Sequence, residues 1–522
     1  MMIFRLAPVA LFALALWGCS TDPKVSAQNS LEKGNQQLAL EKFPEAIIEF
    51  RRAVQADPRL GPARLQLAHA YASVGDGPNA LREYARAAEL MPENNDAQIK
   101  AGNFMLLANQ FADAQGMGER LLARSPKSVE AQVLIANALA GLKDWESAVE
   151  AFEKAVEIDP SRALTYADLG AAQMSKGDPV AAEAAFRKAV DIDPKSSLAL
   201  ISLANFVWAR GDADQGELLM KRALSSDPKS IVANRALAMF YLVRNRAPEA
   251  EPYLKTAADV SPGPESKYAL SEYYLRSRRF DDARAVLQPY LKGDKTFVGS
   301  SIRLARIEAF DEKTPQAHRI LDGALAREPK NIDALLLRGQ LFLAENNTVN
   351  ALSALQTAVE GNPNSVAAHV ALAQTHALRG SVKEGMKAFN DALRLDGANS
   401  TARIGLAKLQ VHNGAAADAV PLLMKVVAEN PRHLEARLLL LEGYMAVGDM
   451  PQATALASDL LKTNGNNAAV QTAAGALATM KKDAGAARLA YGRALATNPR
   501  AYPALAGLLN TELQGKNLAA AR

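Results

Sequence analysis

Proline recurs every 34 residues through the first half of this chain, at Pro58, Pro92, Pro126, Pro160, Pro194, Pro228 and Pro262, and the phase resumes at Pro329, Pro363, Pro431 and Pro499. A fixed period of this length, usually reached through Asp-Pro or Asn-Pro, predicts a repeat of two helices. Each hairpin is too small to bury its apolar face alone, so neighbours must stack into an α-solenoid. Length then does not count domains. A chain of 522 residues would ordinarily suggest about three or four globular units, but a solenoid grows by addition and reads as one elongated domain.

Counting each proline as position 32 places the repeats at 27–60, 61–94 and onward, and other positions keep the same clock. Position 8 is small, as at Gly34, Ala68, Gly102, Gly170, Ala204, Gly339 and Gly475, which lets two helices approach closely. Position 20 carries Ala80, Ala114 and Ala148, and position 27 carries Ala53, Ala87 and Ala155, while position 24 is mostly large, with Phe50, Tyr84, Phe152, Phe186, Phe389 and Tyr491. Offsets of four and three put these three positions on one helical stripe. Position 15 is often glycine, as at Gly75, Gly177, Gly211, Gly380, Gly414 and Gly448, and commonly precedes Asp, which suits a helix C-cap followed by an N-cap. Proline at position 32 is expected to stop the second helix, because it lacks an N–H and clashes with the preceding turn. Gly397 and Gly465 stand in the proline slot and are expected to break the helix through conformational freedom instead.

Ala68, Tyr71, Ala80, Tyr84, Ala87 and Pro92 reproduce in full the pattern of the tetratricopeptide repeat (TPR), which the chain resembles over residues 27–501 as fourteen repeats. The resemblance implies an all-α fold, a right-handed superhelical α-solenoid of about fourteen 34-residue helix-turn-helix repeats, spanning residues 29–501. One unit, 265–297, is a residue short: Phe280 to Ala283 come one position early, no proline ends it, and Pro289 falls inside its second helix. After Pro499 a fifteenth repeat begins at Tyr502, turns at Gly515-Lys516-Asn517 and restarts at Leu518, so residues 502–522 read as a partial fifteenth repeat or a C-terminal cap. Leu505, Leu508, Leu509 and Leu513 argue against a polar outer face there, and the chain is expected to be a fragment of a longer protein.

Sixty basic residues balance 56 acidic ones, and no run of five like charges occurs, so nucleic acid is not indicated. The sequence has no GxxxxGK[ST], no HExxH and no paired CxxC, which leaves no cofactor or metal to expect. His369 and His376 lie seven residues apart on one helix face, but both occupy packing slots of the repeat. No nucleophile, base and oxyanion donors form a recognisable set, so the chain reads as non-enzymatic.

Before the repeats stand Arg5, an apolar run from Leu6 to Trp17, and the motif Leu16-Trp17-Gly18-Cys19. This resembles a bacterial lipoprotein signal, which implies cleavage before Cys19, lipidation of its thiol, and loss of the signal peptide 1–18, with 19–28 as a polar tether. The run is too short to span a bilayer stably, whereas two or more acyl chains anchor firmly. Ser20 after the cysteine, by the same resemblance, favours the outer membrane with the protein facing the periplasm. The lack of any other cysteine fits an exported chain.

In the TPR family positions 2, 5, 9 and 12 of the first helix line the concave surface. Position 9 carries Asn35, Asn103, Asn137, Asn205, Gln340 and Gln374, whose amides can both donate to and accept from the backbone of a bound segment. Position 5 is mainly apolar, with Leu65, Ile99, Val133 and Ile201, and position 12 adds Trp208, a contact candidate, whereas Trp145 reads as a packing residue. An apolar floor with amide rungs suits an extended or helical partner segment. Lys33-Gly34-Asn35 is similar to the Lys-Gly-Asn of chaperone-binding TPRs, but Leu31 stands where their carboxylate clamp needs lysine.

The expected function is therefore a non-enzymatic scaffold, lipid-anchored in the bacterial envelope, whose partners are proteins or peptides. Two alternatives stand beside it. The lipobox followed by Leu31-Glu32-Lys33-Gly34 and Glu45-Ala46-Ile47-Ile48 is similar to TPR lipoproteins of exopolysaccharide export and the PEP-CTERM/exosortase sorting system. The other alternative is the targeting arm of a longer enzyme, such as a glycosyltransferase, with its catalytic domain beyond residue 522.

Overall fold

A computed structural model describes residues 22–261, 263–293 and 296–514, and the expectations for Cys19, Pro262 and the segment after Gln514 lie outside them. Among the described residues the chain forms twenty-nine α-helices and one short 3-10 segment, with no strand. It divides into two units, one ending at Tyr273 and the other beginning at Tyr274. Each is a row of helical hairpins in which helices pack chiefly on their neighbours in sequence, the arrangement of an all-α solenoid.

Within a repeat the first helix takes positions 1–13 and the second positions 17–30, as in Gly61–Ser73 with Gly77–Leu90 and Ile332–Ala344 with Thr348–Gly361. Position 15 has positive φ in all fourteen repeats. Six are the glycines named above, and the others are Glu41, Asn109, Lys143, Asn245, Arg278, Glu312, Asn346 and Lys482, with φ between 55° and 64°. The following Asp then caps the second helix: Asp212 accepts from the Gln215 N–H at 3.0 Å and Asp449 from Gln452 at 3.2 Å. The left-handed residues are 34 apart except between Asn245 and Arg278, so the missing residue lies in the first helix of the short repeat, Glu265–Arg276, which has only 12 residues. Its second helix stops at Leu287 and continues as the 3-10 turn Gln288–Leu291 around Pro289.

The prolines act differently from the expected helix stop. The second helix has already ended at position 30, and the residue before proline is extended, as at Asp159 (φ −135°, ψ 91°) and Asn362 (φ −145°, ψ 95°), because the proline ring excludes the helical region there. Proline is the second residue of a turn closed by the position-34 N–H onto the position-31 carbonyl, 3.1 Å from Ser230 to Asp227. The Asp or Asn side chain before proline accepts from position 33, at 3.0 Å in Asp227 and Lys229, which explains the Asp-Pro and Asn-Pro pairs. Position 34 in turn caps the next helix, as Ser128 does for Ala131 and Asn331 for Ala334. Glycine in the proline slot does not work through conformational freedom. Asp396 makes the usual turn before Gly397, and at Gly465, with φ −57°, the helix runs on to Asn464. A Cβ at Gly465 would meet the Leu461 carbonyl oxygen at 2.5 Å.

The two helices of a hairpin meet where position 8 faces position 24. A Cβ added to Gly34 would lie 2.4 Å from the Phe50 ring, and one on Gly475 would lie 2.6 Å from Tyr491. In repeat 434–467 the sizes are exchanged: Leu441 at position 8 and Ala457 at position 24 are both buried in one cluster. In repeat 95–128 both are glycine, and the following repeat fills the space, with Leu134 against Gly102 and Ile135 against Gly118.

Polar pairs from position 21 to position 11 of the next repeat, joined in one case by position 16, key neighbours to one another. Glu217 accepts from Tyr241 at 2.9 Å and from Arg246 at 2.6 Å, Arg284 binds Glu308 through two 2.8 Å hydrogen bonds, and Arg488 donates to Glu512 at 2.6 Å. Burial would raise the Glu217 pKa, but hydrogen bonds from Lys221, Arg246 and Tyr241 outweigh it and bring it down to about 2.

A left-handed conformation costs a side chain with a Cβ about 1–2 kcal/mol. Lys482→Gly, in a turn at φ 57°, should therefore stabilise the chain by about 1 kcal/mol after glycine's greater unfolded-state entropy is deducted. A urea titration followed by circular dichroism checks this, and an unchanged or lower midpoint would show that the turn is unstrained.

Candidate partner-binding surfaces

The position-9 amides divide between the two units, Asn35, Asn103, Asn137 and Asn205 in the first and Gln340 and Gln374 in the second. All are exposed except Asn137, which is half-buried and donates to its own helix at the Val133 carbonyl, 3.1 Å away. His69, Ala171 and Met239 interrupt the row. Trp208 is half-buried, with its ring edge-on to Phe240 at 4.9 Å between centroids, so part of its surface is taken up by packing.

A second polar row, at position 4, is structural and was not singled out in the sequence. Its side chains donate back to the position-32 carbonyl of the preceding turn: Arg64 to Pro58 at 2.9 Å, Asn234 to Pro228 at 3.0 Å, Arg403 to Gly397 at 2.8 Å and Gln471 to Gly465 at 2.6 Å. His369 belongs to this row, with Nε2–H donating to the Pro363 carbonyl at 2.9 Å. These bonds tie each first helix to the turn that precedes it. His376 has a separate situation: its Nδ1 is buried without a partner among the described residues, and burial lowers its pKa.

In the second unit the inward faces of four first helices enclose a trough of about 1080 Å³ between Lys408 and Pro503. Its lining follows the concave positions: Leu438, Glu442 and Met445 are positions 5, 9 and 12 of one repeat, and Ala469, Thr472 and Ala476 are positions 2, 5 and 9 of the next. The floor is apolar, and the exposed rim is charged, with Lys408, Glu435 and Glu442 and with His412 Nε2 3.7 Å from Glu442. The space exists because the helix Ala468–Met480 presents only Ala and Thr to it. A search for amides passes over this site. The available signal was Thr472 at position 5, where other repeats carry Leu, Ile or Val, together with Ala476 at position 9, where others carry an amide.

In the first unit the inward face changes character at repeat five. Position 2 is Gln28, Pro62, Asp96 and Glu130 in the first four repeats, then Leu164, Leu198 and Val232, which are 39%, 46% and 49% exposed. Met174, Met239 and Val243 extend this exposed apolar surface. One turn along from Leu164 stands Asp168, half-buried, with no hydrogen bond or ion pair to any described residue. Burial pushes its pKa up to about 6, against an opposing pull from Arg162. On the same helix the Thr165 hydroxyl is buried and has no hydrogen-bond partner among the described residues.

Stacked helical hairpins with a left-handed turn in each, small-to-large packing across the pair and an inward face lined by first helices define a helical-repeat scaffold. Tetratricopeptide repeat models match residues 106–163, 173–273, 302–400 and 410–477, together more than half of the chain. The chain belongs to the tetratricopeptide repeat family, whose members typically serve protein–protein interaction. No curated protein matches the sequence. Among solved structures it is similar to yeast Tom70, at 16% identity and TM-score 0.39 over 82% of this chain and 96% of that one. It is also similar to the APC/C hetero-tetramer Cut9–Hcn1, at 13% identity and TM-score 0.42 over 94% and 98%. A tetratricopeptide repeat protein from Parabacteroides merdae ATCC 43184 matches at 18% identity and TM-score 0.38 over 47% and 98%. None of these bears on what this chain binds.

An unpaired carboxylate with a raised pKa destabilises the fold only where it is ionised. The cost of Asp168 is absent below the unfolded value near 3.8, grows as pH rises towards about 6, and is constant above that. Asp168→Asn should therefore stabilise the protein at pH 7, by on the order of 2 kcal/mol, and leave it unchanged at pH 3.5. Urea titrations at the two pH values test this, and an equal effect at both would assign the change to something other than the charge.

Proposed function

We propose that this protein is a non-enzymatic scaffold that holds segments of partner proteins on the inward faces of its repeats and is tethered to a bacterial membrane through Cys19. The single observation that supports partner binding most directly is the trough between Lys408 and Pro503. Its volume of about 1080 Å³ lies just above the roughly 300–1,000 Å³ of small-molecule sites. Its open form, apolar floor and charged rim suit a chain segment better than a compact ligand. Tethering rests on Leu16-Trp17-Gly18-Cys19 after an apolar run and on the polar stretch that follows. A lipid anchor there would present the repeats to envelope proteins.

A photo-crosslinking residue at Ala469, inside the trough, should trap partner proteins in intact cells, whereas the same probe at Leu489, exposed on a second helix, should not. Equal yields at the two positions would count against the trough. Palmitate should label the native chain and not Cys19→Ala. Labelling of both, or of neither, would remove the anchor.

A further inference from the structure

The apolar row of repeats five to seven lies in a different unit from the trough, so the two surfaces can be tested separately. Its three anchors, Leu164, Leu198 and Val232, hold the same position on three successive first helices that pack on one another. Packed helices lie about 8–10 Å apart, and that spacing selects the conformation of what covers them. An extended strand shows the same face about every 6.8 Å and falls out of step. An α-helix advances about 10.5 Å in seven residues and returns to nearly the same face, so it meets all three anchors.

Charge sets the orientation. Asp168, one turn from the first anchor, is a half-buried carboxylate with no hydrogen bond or ion pair to a described residue; Arg162, the nearest opposing charge, pairs with Glu130 instead, at 2.9 Å. At the far end Arg235, three residues from the last anchor, is exposed and makes no ion pair among the described residues. A half-buried carboxylate left without a cation weakens the fold, so the packing of the repeats gives Asp168 no stabilising role, whereas a cation docked beside it would. The earlier repeats lack this combination, with Gln28, Asp96 and Glu130 in the anchor position. It is therefore a local feature rather than a property of the repeat.

We propose that this row docks an amphipathic helix of a partner protein that carries apolar residues seven apart, a Lys or Arg beside its first anchor for Asp168, and an Asp or Glu beside its third for Arg235. The partner's cation supplies the neutralising charge that the fold omits, and the opposite charges at the two ends set the direction of the helix.

The probe is a synthetic helical peptide with Leu at seven-residue intervals and Lys and Glu at the two ends, titrated by fluorescence anisotropy against the full chain. A peptide with Gln replacing both charges is the control. The charged peptide should bind about tenfold more tightly than the control. Asp168→Asn should remove most of that difference, and Leu198→Asp should abolish binding of both peptides while Ala469→Trp, in the trough, changes neither. Circular dichroism confirms that each variant is folded. No binding by either peptide, equal affinity of the two, or undiminished binding to Leu198→Asp would overturn the proposal. If Leu198→Asp instead converts a dimer to a monomer in sedimentation velocity, the row is covered by a second copy of the chain and the proposal fails.

Discussion

Close approach of two short helices is the constraint on which this chain depends. A hairpin of this size has little interior, and it gains one only if a residue of one helix sits directly in the crotch of the other. Gly34 under Phe50 and Gly475 under Tyr491 leave no room for even a methyl group, so the aromatic ring itself becomes the core of the repeat. Everything else follows from keeping that contact in register. The left-handed residue at position 15 turns the chain within three residues, and the Asp-Pro or Asn-Pro turn at the other end delivers it to the next helix.

Polar groups keep that register more finely than apolar packing could. Apolar contact is non-directional, whereas the hydrogen bond from Asn234 to the Pro228 carbonyl and the paired bonds between Arg284 and Glu308 have one geometry each. The outer and inter-repeat surfaces hold most of these bonds, which leaves the inward faces free to vary. That division explains how Gln28, Asp96 and Glu130 can occupy the position held elsewhere by Leu164 and Leu198 without disturbing the scaffold.

The fold was legible because its determinants are periodic. Ala68, Tyr84, Ala87 and Pro92 recur with their equivalents often enough that any one exception is outvoted, and even the missing residue announced itself through Phe280. The role of the prolines was harder to read, since ending a helix and making a turn just beyond its end call for the same residue at the same place. The surfaces were harder still. Asn35 and Gln340 attract notice as amides, but the trough is defined by what Ala469 and Ala476 do not fill, and the isolation of Asp168 depends on which neighbours lack a countercharge. Both are properties of several helices together, and no single repeat encodes either.

The exchange of sizes between Leu441 and Ala457 bears on how such an array can change over generations. The large residue stands on the opposite helix from its place in other repeats, with the combined volume of the pair kept, so each helix of that repeat fits only its own mate. Recombination that moved one helix alone would set Leu441 against a ring such as Phe389, or leave Ala457 facing a glycine across an empty space. Recombination that moved the whole hairpin would carry both halves of the compensation together. Inheritance of this repeat should therefore respect the hairpin as its smallest exchangeable part, whereas repeat 95–128, whose Gly102 and Gly118 are filled by Leu134 and Ile135, should move together with its successor.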